Sequence, residues 1–351
     1  MWRTPVAQKV RRDLQAMASD VFMWIVLVVD ILNQEFDRGR TSLKQMERRL
    51  REIPTDLHTL FRDILTRDTR NPEELILCIQ WVLFARQPLS PTQLYFAVLS
   101  GVEPDAVAPW DPKETSKDAM RRFLLDASKG LTEITKARPP TIQFIHESVR
   151  DFILKDNGLA SIWPELEFNF EGRSQERLRQ CCFTYMSLDI ERTLIIPASS
   201  GTTVSQQTTQ TRKSALVHFP FLEYAVQNVL CHADAAEKTG ISQQSFMQKF
   251  PQSYWIRLDN MFEKDKSYRY SDEVSMLYVL AERNYSSLMR AIPPTKSCFE
   301  VEPERFGTPF FAAIAANSEE AIDALVDGYL RTEVEVFLQR YTTSATIKTK
   351  T

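Results

Sequence analysis

Glycine is scarce. The chain has nine glycines in 351 residues, and no two of them stand five apart. That spacing excludes the phosphate loop G-x-x-x-x-G-K-[ST], whose glycines let backbone N–H groups cradle a phosphate. Scarce glycine also argues against a glycine-rich α/β enzyme and for a mainly helical protein. Cysteine is sparse as well. Its count is odd, at five, and its spacing irregular, so the thiols read as reduced in an intracellular, cytoplasmic protein. Long apolar runs are missing. The longest, Val21 to Val29, is closed by Asp30 and falls short of the about 20 residues a membrane span needs. It reads as the centre of a buried core helix, and Met1 to Pro5 do not lead into a signal peptide. No charge of either sign dominates. The formal net charge is −3, which draws the chain neither to nucleic acid nor to an anionic membrane.

What remains is ordinary soluble composition, 25% charged and 43% hydrophobic, at a length for two or three domains. The pattern predicts a buried helix over residues 13–36, an amphipathic helix from Ser42 to Ile53, and a third capped by Thr55 or Asp56. The outer face of the second carries Lys44, Glu47, Arg48, Arg49 and Arg51 and reads as a solvated face. Asn71-Pro72-Glu-Glu is a helix start with Asn71 as its cap. Ser90 caps the next helix, residues 102–115 form a loop, and Ser116 to Ser128 form a further helix. The period then changes to two. Residues 131–134 and 141–145 read as short strands joined by a turn over 136–140, and a helix follows from Glu147. Three helices, a hairpin and a closing helix is the order of a winged helix.

Winged helices often read DNA through the third helix. Here that helix offers Lys117, Arg121, Arg122 and Lys129, but also Asp118 and Asp126. Residues 72–156 hold ten Lys and Arg against twelve Asp and Glu, a net of −2, which places DNA binding second to protein packing.

Further along, residues 174–190 read as a helix containing Cys181 and Cys182. Residues 197–214, rich in Ser, Thr, Gln and Gly, read as a flexible loop. An aromatic-rich helix starts at Phe219. Cys231-His232 lacks a second pair at ligand spacing and reads as buried rather than metal-binding. In Gly307 to Val326, residues Thr308, Pro309 and Ala313 match the ankyrin pattern Thr-Pro-Leu-His-x-Ala, with Phe311 in the histidine's place. A shift upstream by one ankyrin period aligns Asn284 with Asn317 and Met289 with Ile322, a degenerate earlier copy without Thr-Pro. The tail from Arg331 does not continue the pattern.

The whole resembles fungal NACHT-ankyrin proteins, which are NLR-like STAND NTPases. Arg49-Leu-Arg-Glu-Ile-Pro-Thr-Asp-Leu57, Gln143-Phe-Ile-His-Glu-Ser-Val-Arg-Asp-Phe152 and Phe219-Pro-Phe-Leu-Glu-Tyr-Ala225 carry the likeness. The resemblance implies a mainly α fold: a helical bundle plus a winged helix with one small β-hairpin, then a helical connector and a truncated ankyrin solenoid. Its domains would be a NACHT helical tail at 1–70, the winged helix at 71–156, the connector at 157–270 with its loop at 197–214, ankyrin repeats at 271–330 and an irregular tail at 331–351. The winged helix is of the type also found beside GPI inositol-deacylase-like modules, and it implies no deacylase activity.

In related switch proteins a Met-His-Asp motif contacts the β-phosphate of ADP, and Ile145-His146-Glu147 stands at that position. His146 is therefore the candidate ADP contact, acting only together with a P-loop module. Without one, a core histidine bonded to backbone is the favoured reading. The chain as given begins downstream of where a phosphate loop would lie, so neither tight binding nor hydrolysis of ADP or ATP is expected of it, and no Ser-His-Asp or Cys-His set is present in its place. The implied role is non-catalytic: regulation and protein interaction, with protein partners and without nucleic acid or membrane. The alternative is a winged-helix DNA binder.

Overall fold

A computed structural model of the chain describes residues 13–14, 22–37, 43–54, 56–67, 71–155, 158–164, 168–194, 206–292 and 297–329. Among these residues the protein is mainly helical, and its only sheet is a two-stranded antiparallel one. They fall into two compact units, one drawn from residues up to 95 together with 116–170, the other from 96–115 together with residues from 171 onward. The tail at 331–351 and the first part of the expected loop, 197–205, lie outside the described residues.

The first unit opens with α1 (Phe22–Asp37), α2 (Leu43–Glu52) and α3 (Leu57–Arg67). Trp24, Leu27, Val28, Ile31 and Leu32 recur at helical steps and are all buried, so α1 presents one stripe to the core. Trp24 Nε1–H donates to Pro54 O at 2.6 Å, which satisfies the indole where the chain turns from α2 into α3. Asp56 caps α3 by accepting from Thr59 N–H and Thr59 Oγ–H, both at 2.8 Å. Those two bonds hold its carboxyl below the ordinary value.

Next come α4 (Pro72–Phe84), α5 (Pro91–Val102) and α6 (Lys117–Ala127). Pro72 sits at the first helical position with Glu73 and Glu74 behind it. Asn71 departs from the expected side-chain cap. At φ 51° it is left-handed and makes no side-chain cap bond. Capping needs an extended residue whose side chain reaches the second or third N–H; Asn71 instead offers its carbonyl to Glu74 N–H at 3.2 Å. Ser90 forms a reciprocal box with Gln93: Gln93 N–H donates to Ser90 Oγ at 3.3 Å, and Ser90 N–H donates to Gln93 Oε1 at 3.0 Å. Ser116 caps α6 by accepting from Ala119 N–H.

Lys129 and Gly130, at φ 53° and 75°, turn the chain into β1 (Thr132–Ile134), which pairs with β2 (Ile142–Phe144). The register sets Thr132 against Phe144, Glu133 against Gln143 and Ile134 against Ile142. On the exposed face, Gln143 Nε2–H donates to Glu133 Oε1 at 3.0 Å. Ile142 N–H donates to Leu89 O at 2.9 Å, tying the hairpin to the α4–α5 connection. Then follow α7 (Glu147–Leu154) and α8 (Gly158–Ile162). Val149, Phe152 and Ile153 join the α1–α3 core, with the Phe152 ring 5.3 Å from that of Phe61. A Cβ at Gly158 would lie 2.4 Å from Phe152 O, so only glycine lets α8 start this close to α7.

In the second unit, α9 (Phe170–Met186), α10 (Gln206–His218), α11 (Leu222–Lys238), α12 (Gln244–Gln248) and α13 (Gln252–Phe262) precede two helix pairs. Residues 206–214, expected as loop, are helical. Thr208, Thr211 and Ala215 are buried along one side of α10, and Arg212 donates to Met261 O at 2.9 Å and Glu263 O at 3.1 Å. Packing overrides the low helix preference of this Ser/Thr/Gln-rich stretch. α11 is the centre of the unit, with Ala225, Val226, Val229, Ala233 and Ala236 fully buried. Trp255 Nε1–H donates to Val226 O at 2.8 Å. Between α13 and the next helices, Arg283 Nη2 donates to Asp259 Oδ2 at 2.5 Å, and the guanidinium lies over Trp255 and Tyr270. Burial disfavours the guanidinium charge, yet Asp259 beside it more than offsets this and raises the Arg283 pKa.

The unit ends in α14 (Met276–Glu282), α15 (Ser286–Ala291), α16 (Pro309–Ala315) and a helix over residues 319–329. These are two helix–turn–helix pairs whose caps and turns match at one constant offset in sequence. Ser275 caps α14 through Tyr278 N–H, and Thr308 caps α16 through Phe311 N–H. Asn284 and Asn317 stand left-handed at the turns, with φ 56° and 52°. Tyr285 N–H donates to Leu280 O and Ser318 N–H to Ala313 O, both at 2.9 Å. The pairs are sewn together by Asn284 Oδ1, which accepts from Ala321 N–H at 3.2 Å, and by Glu302, which accepts from Ser275 N–H at 2.7 Å and Oγ–H at 2.5 Å.

Candidate functional site

His146 is the residue between β2 and α7, and its backbone is extended, at φ −163° and ψ 153°. That conformation makes it the N-cap of α7. Its Nδ1 accepts from Ser148 N–H at 3.1 Å and lies 2.9 Å from Ser148 Oγ. With Nδ1 accepting the cap bond, Nε2 is left as the ring's N–H donor. The favoured expectation of a core histidine is corrected in one respect. The side chain is bonded to backbone, but it is exposed, while Val149, Phe152 and Ile153 of the following helix take the core.

His146 stands at the rim of a pocket of about 360 Å³. Trp81, Leu89, Leu94 and Ile142 supply an apolar lining, and Gln143, His146, Glu147 and Arg150 supply polar groups. Glu147 Oε1 and Arg150 Nη1 are 3.9 Å apart, a loose and exposed ion pair. The pocket thus combines an imidazole N–H donor, a guanidinium, a carboxylate and the Gln143 amide. It is equipped to hold an anionic or amphipathic group by hydrogen bonds and apolar contact. Ser148 Oγ at 2.9 Å from Nδ1 has the separation of a nucleophile–base pair, but the same lone pair is engaged in capping. Among the described residues no carboxylate bonds the opposite ring nitrogen, so the arrangement of a hydrolytic triad is not formed there.

The other residues singled out by sequence are placed as follows. His232 is buried in α11, with Tyr224 Oη 3.0 Å from Nε2 and Gln175 Oε1 2.7 Å from Nδ1. Gln175 Oε1 can only accept, so Nδ1 donates to it, and His232 is a core histidine bonded to side chains of α9 and α11. Among the described residues no group of three His, Cys, Asp or Glu is placed to hold a metal ion. The five thiols are unbridged, and burial pushes Cys78 up to about 12. On α2, Arg48 and Arg49 pair with Glu52, and Arg49 also approaches Asp63 at 3.5 Å, so two of its basic residues are engaged by local carboxylates. On α6, Arg121 pairs with Asp118 at 3.5 Å. Among the described residues no helix is long and apolar enough to cross a membrane.

Sequence reasoning missed several polar residues that shape the second unit. Glu176 accepts from Arg179 Nε at 3.0 Å and Nη2 at 2.5 Å, and from Gln243 Nε2 at 2.7 Å. Asp234 accepts from Ser287 and Leu288 N–H at 2.9 and 3.0 Å, capping α15 from α11. Gln243 and the α15 amides are distant in sequence from these carboxylates and leave no local signal, whereas Arg179 is only one helical turn from Glu176. No family model, no curated protein and no solved structure matches the chain.

Proposed function

We propose that the protein is a non-catalytic regulatory and protein-interaction chain of the NACHT-ankyrin type. α4, α5, α6, the hairpin and α7 serve as a winged helix that packs against a nucleotide-binding module. α14 to residue 329 serve as ankyrin pairs that present a surface to protein partners. The periodic correspondence between the two pairs carries this reading, because it joins two caps, two left-handed asparagines and two sets of turn hydrogen bonds at the ankyrin period. Stacked pairs of this kind bind through extended surfaces. His146 is the β-phosphate contact for ADP held by a P-loop module, with Nε2–H as its donor. The chain works in the cytoplasm, where its five thiols stay reduced.

Winged-helix DNA binding ranks second. The net charge of −2 over residues 72–156 and the Arg121–Asp118 pair on the third helix both count against it. The purified chain, given ATP or GTP, is expected to release no phosphate above a buffer blank and to leave duplex DNA unshifted at physiological salt. Nucleotide turnover would remove the non-catalytic reading, and a salt-sensitive, sequence-specific shift would put the DNA reading in its place.

A further inference from the structure

Two arginines of the second unit converge on one backbone oxygen. Arg212 comes from α10, and Arg269 from the segment that follows α13. Arg212 donates from Nε to Met261 O at 2.9 Å and from Nη2 to Glu263 O at 3.1 Å. Arg269 donates to the same Glu263 O from Nε at 3.2 Å and from Nη2 at 2.8 Å. Both residues are partly buried.

The charge of this pair is poorly matched. Among the described residues neither guanidinium forms an ion pair with a carboxylate, and its bonds go to backbone carbonyls. Arg179, Arg192, Arg257, Arg283 and Arg305 of the same unit each meet a carboxylate. The Glu263 side chain instead turns to the loop, where its Oε1 accepts from Asp265 N–H at 2.8 Å. Met261 lies in the last turn of α13 and Glu263 is its C-cap, and a helix end offers about half an elementary charge against two full cations. Burial and the Arg212 charge pull the Arg269 guanidinium below its ordinary value, and Glu263 only partly restores it. Partly buried like charges are costly unless an anion joins them. Nη1 of each guanidinium carries none of these bonds, so both forks keep donors to offer.

Two forks from different elements suit an oxyanion that brings several acceptors and more than one charge. A phosphate group has three acceptor oxygens and a charge of about −1.5 to −2 at neutral pH, whereas a carboxylate brings a single charge. We infer that Arg212 and Arg269 form a binding site for a phosphate dianion, taken as the free ion or as the end group of a small phosphomonoester. The site goes beyond the regulatory role proposed above. It needs neither His146 nor a nucleotide module, because its donors lie on α10 and at Arg269.

The test titrates the full chain calorimetrically with inorganic phosphate and with glycerol phosphate at constant ionic strength. Saturable binding with a Kd of about 1 mM or tighter is expected. Tighter binding of the inorganic ion assigns the free anion, tighter binding of the ester assigns a phosphomonoester, and either supports the site. Arg269→Gln should weaken binding about tenfold or more. Lys264→Gln, which removes an exposed charge close by in sequence, should change it less than about twofold. A second readout needs no substitution: phenylglyoxal modification followed residue by residue. Phosphate at about ten times its Kd should slow modification of Arg212 and Arg269 about tenfold and leave exposed Arg48 and Arg192 unchanged. Absence of saturable binding overturns the inference. So does an equal loss in Lys264→Gln, or modification of Arg212 and Arg269 that phosphate does not slow.

Discussion

Asn284 combines two duties in the helix pairs, and substitution separates them. Its φ of 56° costs an alanine about 1–2 kcal/mol, whereas asparagine visits the left-handed region more readily and glycine freely. Its Oδ1 accepts the Ala321 N–H, a first-turn donor of helix 319–329 that lacks an intrahelical partner, and losing that bond costs about 1 kcal/mol. Asn284→Ala should thus lose about 2–3 kcal/mol and Asn284→Gly about 1 kcal/mol. Asn317→Ala should lose about 1–2 kcal/mol from backbone strain. Hydrogen exchange followed by mass spectrometry reads this locally, since about 1.4 kcal/mol of opening free energy is tenfold in rate. Amides of α14 and of residues 319–329 should exchange about 30-fold or more faster in Asn284→Ala and about fivefold faster in Asn284→Gly. Equal effects of Ala and Gly would refute the strain argument. Unchanged exchange in 319–329 would refute the bond between the pairs.

Three other outcomes test separate parts of the fold. Gly158→Ala places a Cβ 2.4 Å from Phe152 O and should cost about 1–3 kcal/mol, read as a lower unfolding midpoint; a neutral result would mean α8 shifts freely. Burial pushes the Glu176 carboxyl up, but its bonds from Arg179 and Gln243 outweigh this and hold it below its ordinary 4.5. A depressed carboxyl contributes stability that is present above the unfolded value and lost as pH falls through the folded one, so Tm should drop below about pH 4.5 and Glu176→Gln should flatten that drop. An identical pH slope in the variant would show that the network contributes no linkage. A thiol reagent should label half-buried Cys231 before Cys78, whose thiolate burial disfavours; preferential labelling of Cys78 would contradict the packing of α4.

Helix starts and the hairpin were legible because their signals are local. Ser90 with Gln93, Ser116, and the change to a period of two at residue 131 all act within a few positions. Asn71 shows the limit of such signals: the residue type fits a cap, but its left-handed backbone turns the side chain out of reach. Residues 206–214 show a second limit, since composition says loop while contacts from Arg212 to α13 make helix. The repeated turn is visible in Asn284 and Asn317, yet the earlier pair has no Thr-Pro to mark its helix start. Ser275 supplies that start with the same cap geometry as Thr308. At the candidate site, position picks out His146, but its exposure and its bond to Ser148 depend on where α7 packs. Glu302, Asp234 and Glu176 act across many residues and are read only from the folded chain.

The reading of His146 as a phosphate contact is separable from its structural duty. Asparagine caps helices well but lacks the Nε2–H donor, so His146→Asn keeps α7 and removes the contact. In the chain joined behind an ADP-loaded P-loop module of the STAND class, a lost bond to a charged phosphate is worth about 1.5–3 kcal/mol, so ADP release should quicken about tenfold or more with α7 exchange unchanged. Release at the same rate from the unmodified chain and from the His146→Asn variant would contradict the account and leave His146 as a helix cap.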